Sequence, residues 1–244
     1  MREYRLELHV HTKYSHDSIM PFWLLYMKCR LYGITHIAIT EHNNIEGALA
    51  FRDYCRAKGN FVKVIIGEEI MTNKGEIIGL FLNTEIEPMQ SPRETINVIL
   101  RQKGIVYIPH PFDKKRYKTV LDEQSISDNC KYIDCIECHN GRNIANEYSI
   151  KQEEIADKYS IKKVVGSDAH TIFEVGRNFM EISIEPKDAE SFKVAIRKAK
   201  FHKKQCLRFC HSLTKIARTI KFMQKGDFNG LYRIITKKIR RSKS

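Results

Sequence analysis

The chain has 244 residues, enough for one large α/β domain with its own core, or one domain plus an appendage. A hydrophobic content of 42% fits a globular protein, and the lack of any run of eighteen apolar residues argues against a membrane-spanning helix. The net charge of +13 is confined to one end: residues 1–196 hold 26 basic and 28 acidic side chains, whereas residues 197–244 hold 16 basic ones and only Asp227.

The opening segment MREYRLELHV is charged, lacks an apolar signal region and alternates from residue 3, so a strand and a cytoplasmic location are expected. In it Leu6, Leu8 and Val10 share one face, and Glu7, His9 and His11 share the other. A helix over 21–32 starts at Pro21 and stops before Gly33, and THIAIT (35–40) is a short β-rich run. NNIEGALAFRDYCRAKG (43–59) reads as a helix with Asn at the cap, followed by apolar strands at 62–70 and 76–82. SPRETINVILRQKG (91–104) is a helix, and IVYI (105–108) is a strand that stops at Pro109-His110-Pro111. Strands follow at 132–140 and 178–184, KKVVGSDAH (162–170) is a strand that runs into a loop, and 143–160 is a helix. Residues 191–226 read as one long basic helix, with Phe209, Leu213, Ile216, Ile220 and Met223 forming an apolar stripe.

Seven cysteines are an odd number without a disulfide framework, so reduced thiols are expected. Cys135 and Cys138 form a lone CxxC in a strand with no second pair to complete a zinc site, and Cys206 and Cys210 read as packing residues. Strands alternating with helices predict a parallel α/β sheet or barrel, whose ligands bind at the carboxyl ends of the strands. His9, His11, His42, His110, His139 and His170 all fall at such ends, with Glu69 and Asp168 beside them. Imidazole nitrogens and carboxylate oxygens gathered there suit a cluster of divalent Zn, Mn or Fe.

The motifs LHVHTKYSHDS, AITEHNN, GEEI, IPHPF, IECHNGR and GSDAH, in that order, resemble the polymerase and histidinol phosphatase (PHP) superfamily over residues 4–185. The resemblance implies a distorted seven-stranded (β/α) barrel with two or three metal ions. The charge asymmetry sets this domain at 1–196 and a basic amphipathic helical tail at 197–244. The resemblance also implies metal ligands at His9, His11, Asp17, His42, Glu69, His110, Asp168 and His170. Both His16 and Asp17 are available in YSHDS, and the S-x-D-S pattern favours Asp17. Of Glu68 and Glu69, the family's bridging glutamate directly precedes an aliphatic residue, which selects Glu69. Relatives carry a histidine where this chain has Glu76, so Glu76 is either an oxygen ligand of a third metal or an exposed residue at a strand start.

The activity implied is hydrolysis of a phosphate ester by a metal-bound hydroxide, the substrate being a small phosphomonoester or nucleotide. His110 or His139 could assist the leaving oxygen, although His139 matches no usual family ligand. Arg116, Arg142 and Arg177 could grip the phosphate through paired hydrogen bonds. Alternatives are a 5′→3′ exonuclease on short oligonucleotides and a non-catalytic binding module. The tail could dock with its basic face solvated, attach to an anionic membrane surface, or contact nucleic acid.

Overall fold

The computed structural model describes residues 3–113, 116, 118–143 and 146–227. In chain order the elements begin with β1 (Tyr4–Val10), α1 (Phe22–Tyr32), β2 (His36–His42), α2 (Glu46–Ala57), β3 (Lys63–Thr72) and β4 (Gly75–Leu80). They continue with α3 (Pro92–Arg101), β5 (Ile105–Ile108), α4 (Glu123–Asn129), β6 (Cys135–Asn140), α5 (Asn146–Lys158) and β7 (Lys162–Gly166). The described residues end with β8 (Phe179–Ile182), α6 (Ala189–Ala195), β9 (Lys200–His202) and α7 (Arg208–Gln224).

Local chemistry sets several of these boundaries. Ser91 and Glu94 form a reciprocal capping box at the start of α3, with Pro92 at its first position. Gly33 stops α1 at φ 66°, a left-handed conformation in which a β-carbon would be strained. The expected asparagine cap on α2 is not formed. Ile45 occupies that position, while Asn43 Oδ1 accepts from the Met71 amide at 2.7 Å. Asn43 therefore joins the end of β2 to β3 instead of capping a helix.

One sheet runs in the order β7-β6-β5-β4-β3-β2-β1-β8-β9. β1, β2 and β3 are parallel, as are β5, β6 and β7, but β4 runs antiparallel to both of its neighbours. The outer edge of β1 is shared. Its first half pairs with β8, and its second half takes the segment after β7 through Ser167 N to Leu8 O (3.0 Å) and His11 N to Ala169 O (2.9 Å). This second contact curls the sheet into a nearly closed, barrel-like form.

Two sequence expectations are corrected here. Among the described residues the sheet has nine strands, not seven, because β8 and β9 extend it from the half of β1 that barrel closure leaves unpaired. The long helix over 191–226 is in fact α6, strand β9 and α7, because the backbone of 200–202 is taken up by pairing with β8. The sheet thus continues past residue 196. The final part of the expected tail, 228–244, lies outside the described residues.

Strands buried on both faces carry near-continuous apolar runs. One cluster joins Leu6, Leu8, Ile78, Leu80, Tyr107 and Val164 with Phe192 of α6. Others seat the helices, with Ile96 and Ile99 of α3 against Ile70 and Ile77, and Leu25 and Phe51 against Ile37 and Ile39. Cys135 and Cys138 belong to this packing, and all seven cysteines are free.

Gly166, at the end of β7, lets the buried Tyr107 hydroxyl and Glu137 carboxylate approach the backbone where a β-carbon would collide with both. Gly166→Ala is expected to lower unfolding stability by about 1–3 kcal/mol, read from the denaturant midpoint. An unchanged midpoint would show that this approach is looser than described.

Candidate metal centre

Six strand termini converge on one mouth: the carboxyl ends of β1, β2, β3, β5 and β7 and, because it runs backwards, the start of β4. Glu76 of β4, opposite Met71 of β3, is thereby brought to the same imidazole as Glu69, that of His110. The chain bends sharply at this mouth. His9, His110 and Asp168 have φ of 64°, 29° and 51°, conformations costly for residues with a β-carbon. The sequence reading relied on a regular pleat to aim His9 and His11 together. The observed route differs, since β1 ends at Val10 and its register shifts between Glu7 and Val10. Likewise β7 stops at Gly166, so Asp168 and His170 project from the turn beyond it.

Glu69 lies at the centre of the cluster. Its Oε1 is 3.0 Å from His110 Nε2 and 3.3 Å from His9 Nε2, and its Oε2 is 3.0 Å from His42 Nδ1 and 3.4 Å from His11 Nε2. Asp168 Oδ1 is 3.3 Å from His170 Nδ1 and 3.6 Å from His9 Nε2. Asp17 Oδ1 is 3.3 Å from His170 Nε2 and 3.5 Å from His42 Nε2. Glu76 Oε2 is 3.4 Å from His110 Nε2. All of these residues are buried except His42, whose side chain is 15% exposed.

Hydrogen bonds outside the cluster fix which imidazole nitrogen carries the proton. His9 Nδ1 donates to Glu137 Oε1 at 2.7 Å, and His170 Nδ1 donates to the Asp168 carbonyl at 2.9 Å. The Ser15 hydroxyl is given to Glu41, so at 3.1 Å from His11 Nδ1 it accepts. Each Nε2 then turns its lone pair inward, onto carboxylate oxygens that also bear lone pairs. Two acceptors face to face repel unless a cation lies between them. The Nε2 atoms of His9 and His11, Asp17 Oδ1, Glu69 Oε2 and Asp168 Oδ1 are buried without a hydrogen-bond partner among the described residues. Donor sets that could hold an ion are His9–Glu69–His110, His9–His11–Asp168, His11–His42–His170, His42–Glu69–Glu76 and His16–Asp17–His42. The residues present therefore fit divalent metal ions.

Electrostatics express the same demand for positive charge: against burial, Glu69 and Asp168 hold His9, and Glu69 and Asp17 hold His42, well above the usual imidazole value, a proton standing where a divalent ion would. Burial opposes charge on Glu69, but His9 and His42 outweigh it and hold the carboxyl well below its usual range. Burial likewise opposes charge on Asp168, where Arg116 and then His9 prevail, and on Asp17, where His170 and His42 prevail. Burial, then repulsion by His170 and His42, drives His11 well below the usual imidazole value. Burial, then repulsion by Glu69, pushes Glu76 up to about 7.

The nine residues read as ligands from the sequence are thus brought together. His139 is not among them: its Nδ1 faces Ser149 Oγ at 3.5 Å, and a register shift between Glu137 and His139 gives Glu137 the inward position. Of the three arginines only Arg116 reaches the cluster, donating to Asp168 Oδ2. Arg142 is buried on Thr214 (2.9 Å) and Glu174 (3.3 Å), and Arg177 donates to the Gln205 carbonyl. Sequence reasoning missed Glu137. Beyond His9, it accepts from the Tyr107 hydroxyl, the His110 amide at 2.6 Å and Asn140 Nδ2 at 2.8 Å. A glutamate inside the apolar strand YIDCIECHN was its only signal. Glu41 and Glu174 were missed too, and they brace the loops carrying His11 and His170 through Thr12, Ser15 and Thr171.

Residues 7–199 match the family model of the PHP domain. The chain is 35% identical over 219 residues to an uncharacterized protein of Methanocaldococcus jannaschii, covering 86% of this chain and 85% of that one. A solved two-domain protein of Bacteroides vulgatus, containing a predicted PHP-like metal-dependent phosphoesterase, has a TM-score of 0.63 at 16% identity. The match spans 83% of this chain and 65% of that one. A lesion-specific endonuclease of Pyrococcus furiosus has a TM-score of 0.60 at 18% identity, over 82% of this chain and 58% of that one. At these identities the two structures share the fold.

Mn or Zn added to chelator-treated protein should raise its unfolding midpoint, by about 2.7 kcal/mol of stability at a hundredfold excess over Kd. Glu137→Gln, which frees His9 to turn, should weaken ion affinity roughly 10–100-fold. No stabilisation by any of Mn, Zn or Fe would mean that the cluster holds no ion.

Proposed function

The chain belongs to the PHP domain family, and from that premise we propose that it is a metal-dependent phosphoric ester hydrolase acting on a small phosphomonoester or nucleotide. The observation that carries this reading is the set of imidazoles whose Nδ1 protons are fixed outside the cluster and whose Nε2 lone pairs face Glu69, Asp168 and Asp17. His9, His11, His42, Glu69, His110, Asp168 and His170 would hold two divalent ions, and Asp17 and Glu76 would extend the set to a third. When bound, the ions supply an activated water and neutralise charge on the phosphoryl oxygens.

The protein's own residues position the ester. Arg116, held by Asp113 at 3.3 Å and by Asp168, presents a planar guanidinium beside the donors, suited to two phosphoryl oxygens. Arg142 keeps Thr214 and Glu174 in place and so acts on the loop after β7, not on substrate. The walls around the donors are buried, so charge is stabilised by fixed dipoles instead of mobile water. On this reading His139 takes no part in proton delivery, since its Nδ1 faces the Ser149 hydroxyl at 3.5 Å.

A second reading, cleavage of short oligonucleotides from the 5′ end, draws on the cations that α7 carries to the mouth, Arg218 and Lys221. Relative rates on p-nitrophenyl phosphate, mononucleotides and 5′-phosphorylated oligonucleotides, with Mn or Zn, separate the two. His9→Ala and Asp168→Ala should each lower kcat/KM by about a thousandfold or more, roughly 4 kcal/mol of transition-state stabilisation. Ion binding without turnover of any of these esters would leave a non-catalytic binding module.

A further inference from the structure

Helix α7 brings to the cluster a cation that no sequence motif marks. Arg218 Nη2 donates to Asp17 Oδ2 at 3.0 Å, on the side of the carboxylate facing away from His42 and His170. The inner oxygen of Asp17 faces the imidazoles, and the outer one faces Arg218. Asp168 repeats the arrangement, with Oδ1 toward His9 and His170 and Oδ2 on Arg116. Two guanidinium groups, one from the loop after β5 and one from α7, therefore stand on the outer oxygens of two different acids.

We propose that Arg218 forms an anion subsite at the mouth of the cluster and binds a phosphoryl oxygen of the ester, facing Arg116 across the donors. The inference rests on the phosphoesterase reading above and adds to it a residue lying beyond the matched domain, which ends at 199. Arg218 has donors to spare. Its Nε is buried without a hydrogen-bond partner among the described residues, and 43% of the side chain is exposed at the mouth. A guanidinium offers five N–H groups, and a phosphoryl group offers acceptors at the spacing of that fork.

Docking of the helix does not account for Arg218. α7 is already seated by buried Cys210, Thr214 and Ala217, by Thr214 Oγ1 accepting from Arg142, and by Phe209 edge-on to Phe173 at 5.1 Å. An ion pair to a partly exposed arginine adds little to such a contact. Nor does the helix neutralise its own cations, since residues 200–226 contain no acidic side chain. Lys221, one turn on, donates to the Lys13 carbonyl and extends the positive rim over the loop after β1.

The test compares the full chain loaded with Mn, as wild type, Arg218→Ala, Arg218→Lys and Phe209→Ala, the last loosening α7 while keeping the guanidinium. Inorganic phosphate binding is measured by calorimetry, Mn content is measured separately, and p-nitrophenyl phosphate gives kcat and KM. Arg218→Ala should weaken phosphate binding about tenfold or more and lower kcat/KM about a hundredfold. Mn content should be retained, Arg218→Lys should recover part of the loss, and Phe209→Ala should stay near wild type. Unchanged phosphate affinity in Arg218→Ala, loss of Mn in that variant, or an equal defect in Phe209→Ala would each overturn the subsite. If wild type binds phosphate but hydrolyses no ester, the phosphoesterase reading fails and the phosphate affinities alone decide the role of Arg218. If wild type binds no phosphate, the subsite itself is refuted.

Discussion

The site is organised by where three protons are held. Glu137, Ser15 and the Asp168 carbonyl take the Nδ1 hydrogens of His9, His11 and His170, and this turns three Nε2 lone pairs onto Glu69, Asp168 and Asp17. Burying that many acceptors together is unfavourable unless positive charge lies among them. The rest of the site can be read as support for this single constraint. Glu137 can hold His9 because Tyr107, the His110 amide and Asn140 saturate its other acceptor positions. Ser15 can accept because Glu41 takes its hydroxyl hydrogen.

Delivering these groups to one point conflicts with regular strand geometry. A regular pleat would send His9 with His11, and Asp168 with His170, to one face but roughly 6.8 Å apart along the strand, at ~3.4 Å per residue, whereas all four must reach the same small volume. The chain resolves this by leaving the pleat at each strand end, and the left-handed residues His9, His110 and Asp168 are the points of departure. The backbone of 167–169, bonded to Leu8, His9 and His11, holds two of these departures against each other. Barrel closure and site assembly are therefore the same set of hydrogen bonds. The reversal of β4 serves the same end, since only an antiparallel strand could bring a residue at its start, Glu76, to a mouth formed by strand termini.

Much of this was legible in the sequence because metal-binding residues are conspicuous. Histidines at the ends of apolar runs in LHVHT, TEHN, IPHPF and GSDAH are polar groups where burial is expected, and they converge as expected. The carboxylates that orient them were not legible as such. Glu137 and Glu41 act on residues far along the chain, 128 positions away between Glu137 and His9 and 29 between Glu41 and Thr12, and one strand cannot disclose its partner. His139 was misjudged for a related reason: a register shift of β6 at Glu137/His139 exchanges which of two nearby residues faces the donors. Pairing with β8, a non-local contact, likewise overrode the helical pattern of 191–226 at β9.

The orientation of α7 follows from what lies beneath it. Periodicity marks Phe209, Leu213, Ile216, Ile220 and Met223 as the face to bury, yet Ile216 and Met223 are more than half exposed, at 54% and 57%. The inward residues are instead Cys210, Thr214 and Ala217, flanked by His211, Arg218 and Lys221. An apolar stripe laid over the mouth would cover Arg142, the outer oxygen of Asp17 and the Lys13 carbonyl without offering a partner to any of them. A face of small and cationic residues satisfies all three. Amphipathic periodicity predicts burial against an apolar partner, and α7 rests on the polar rim of a charged site. Its polar face is the complementary one, which is why cations from a segment with no acidic residue before Asp227 stand over the donors.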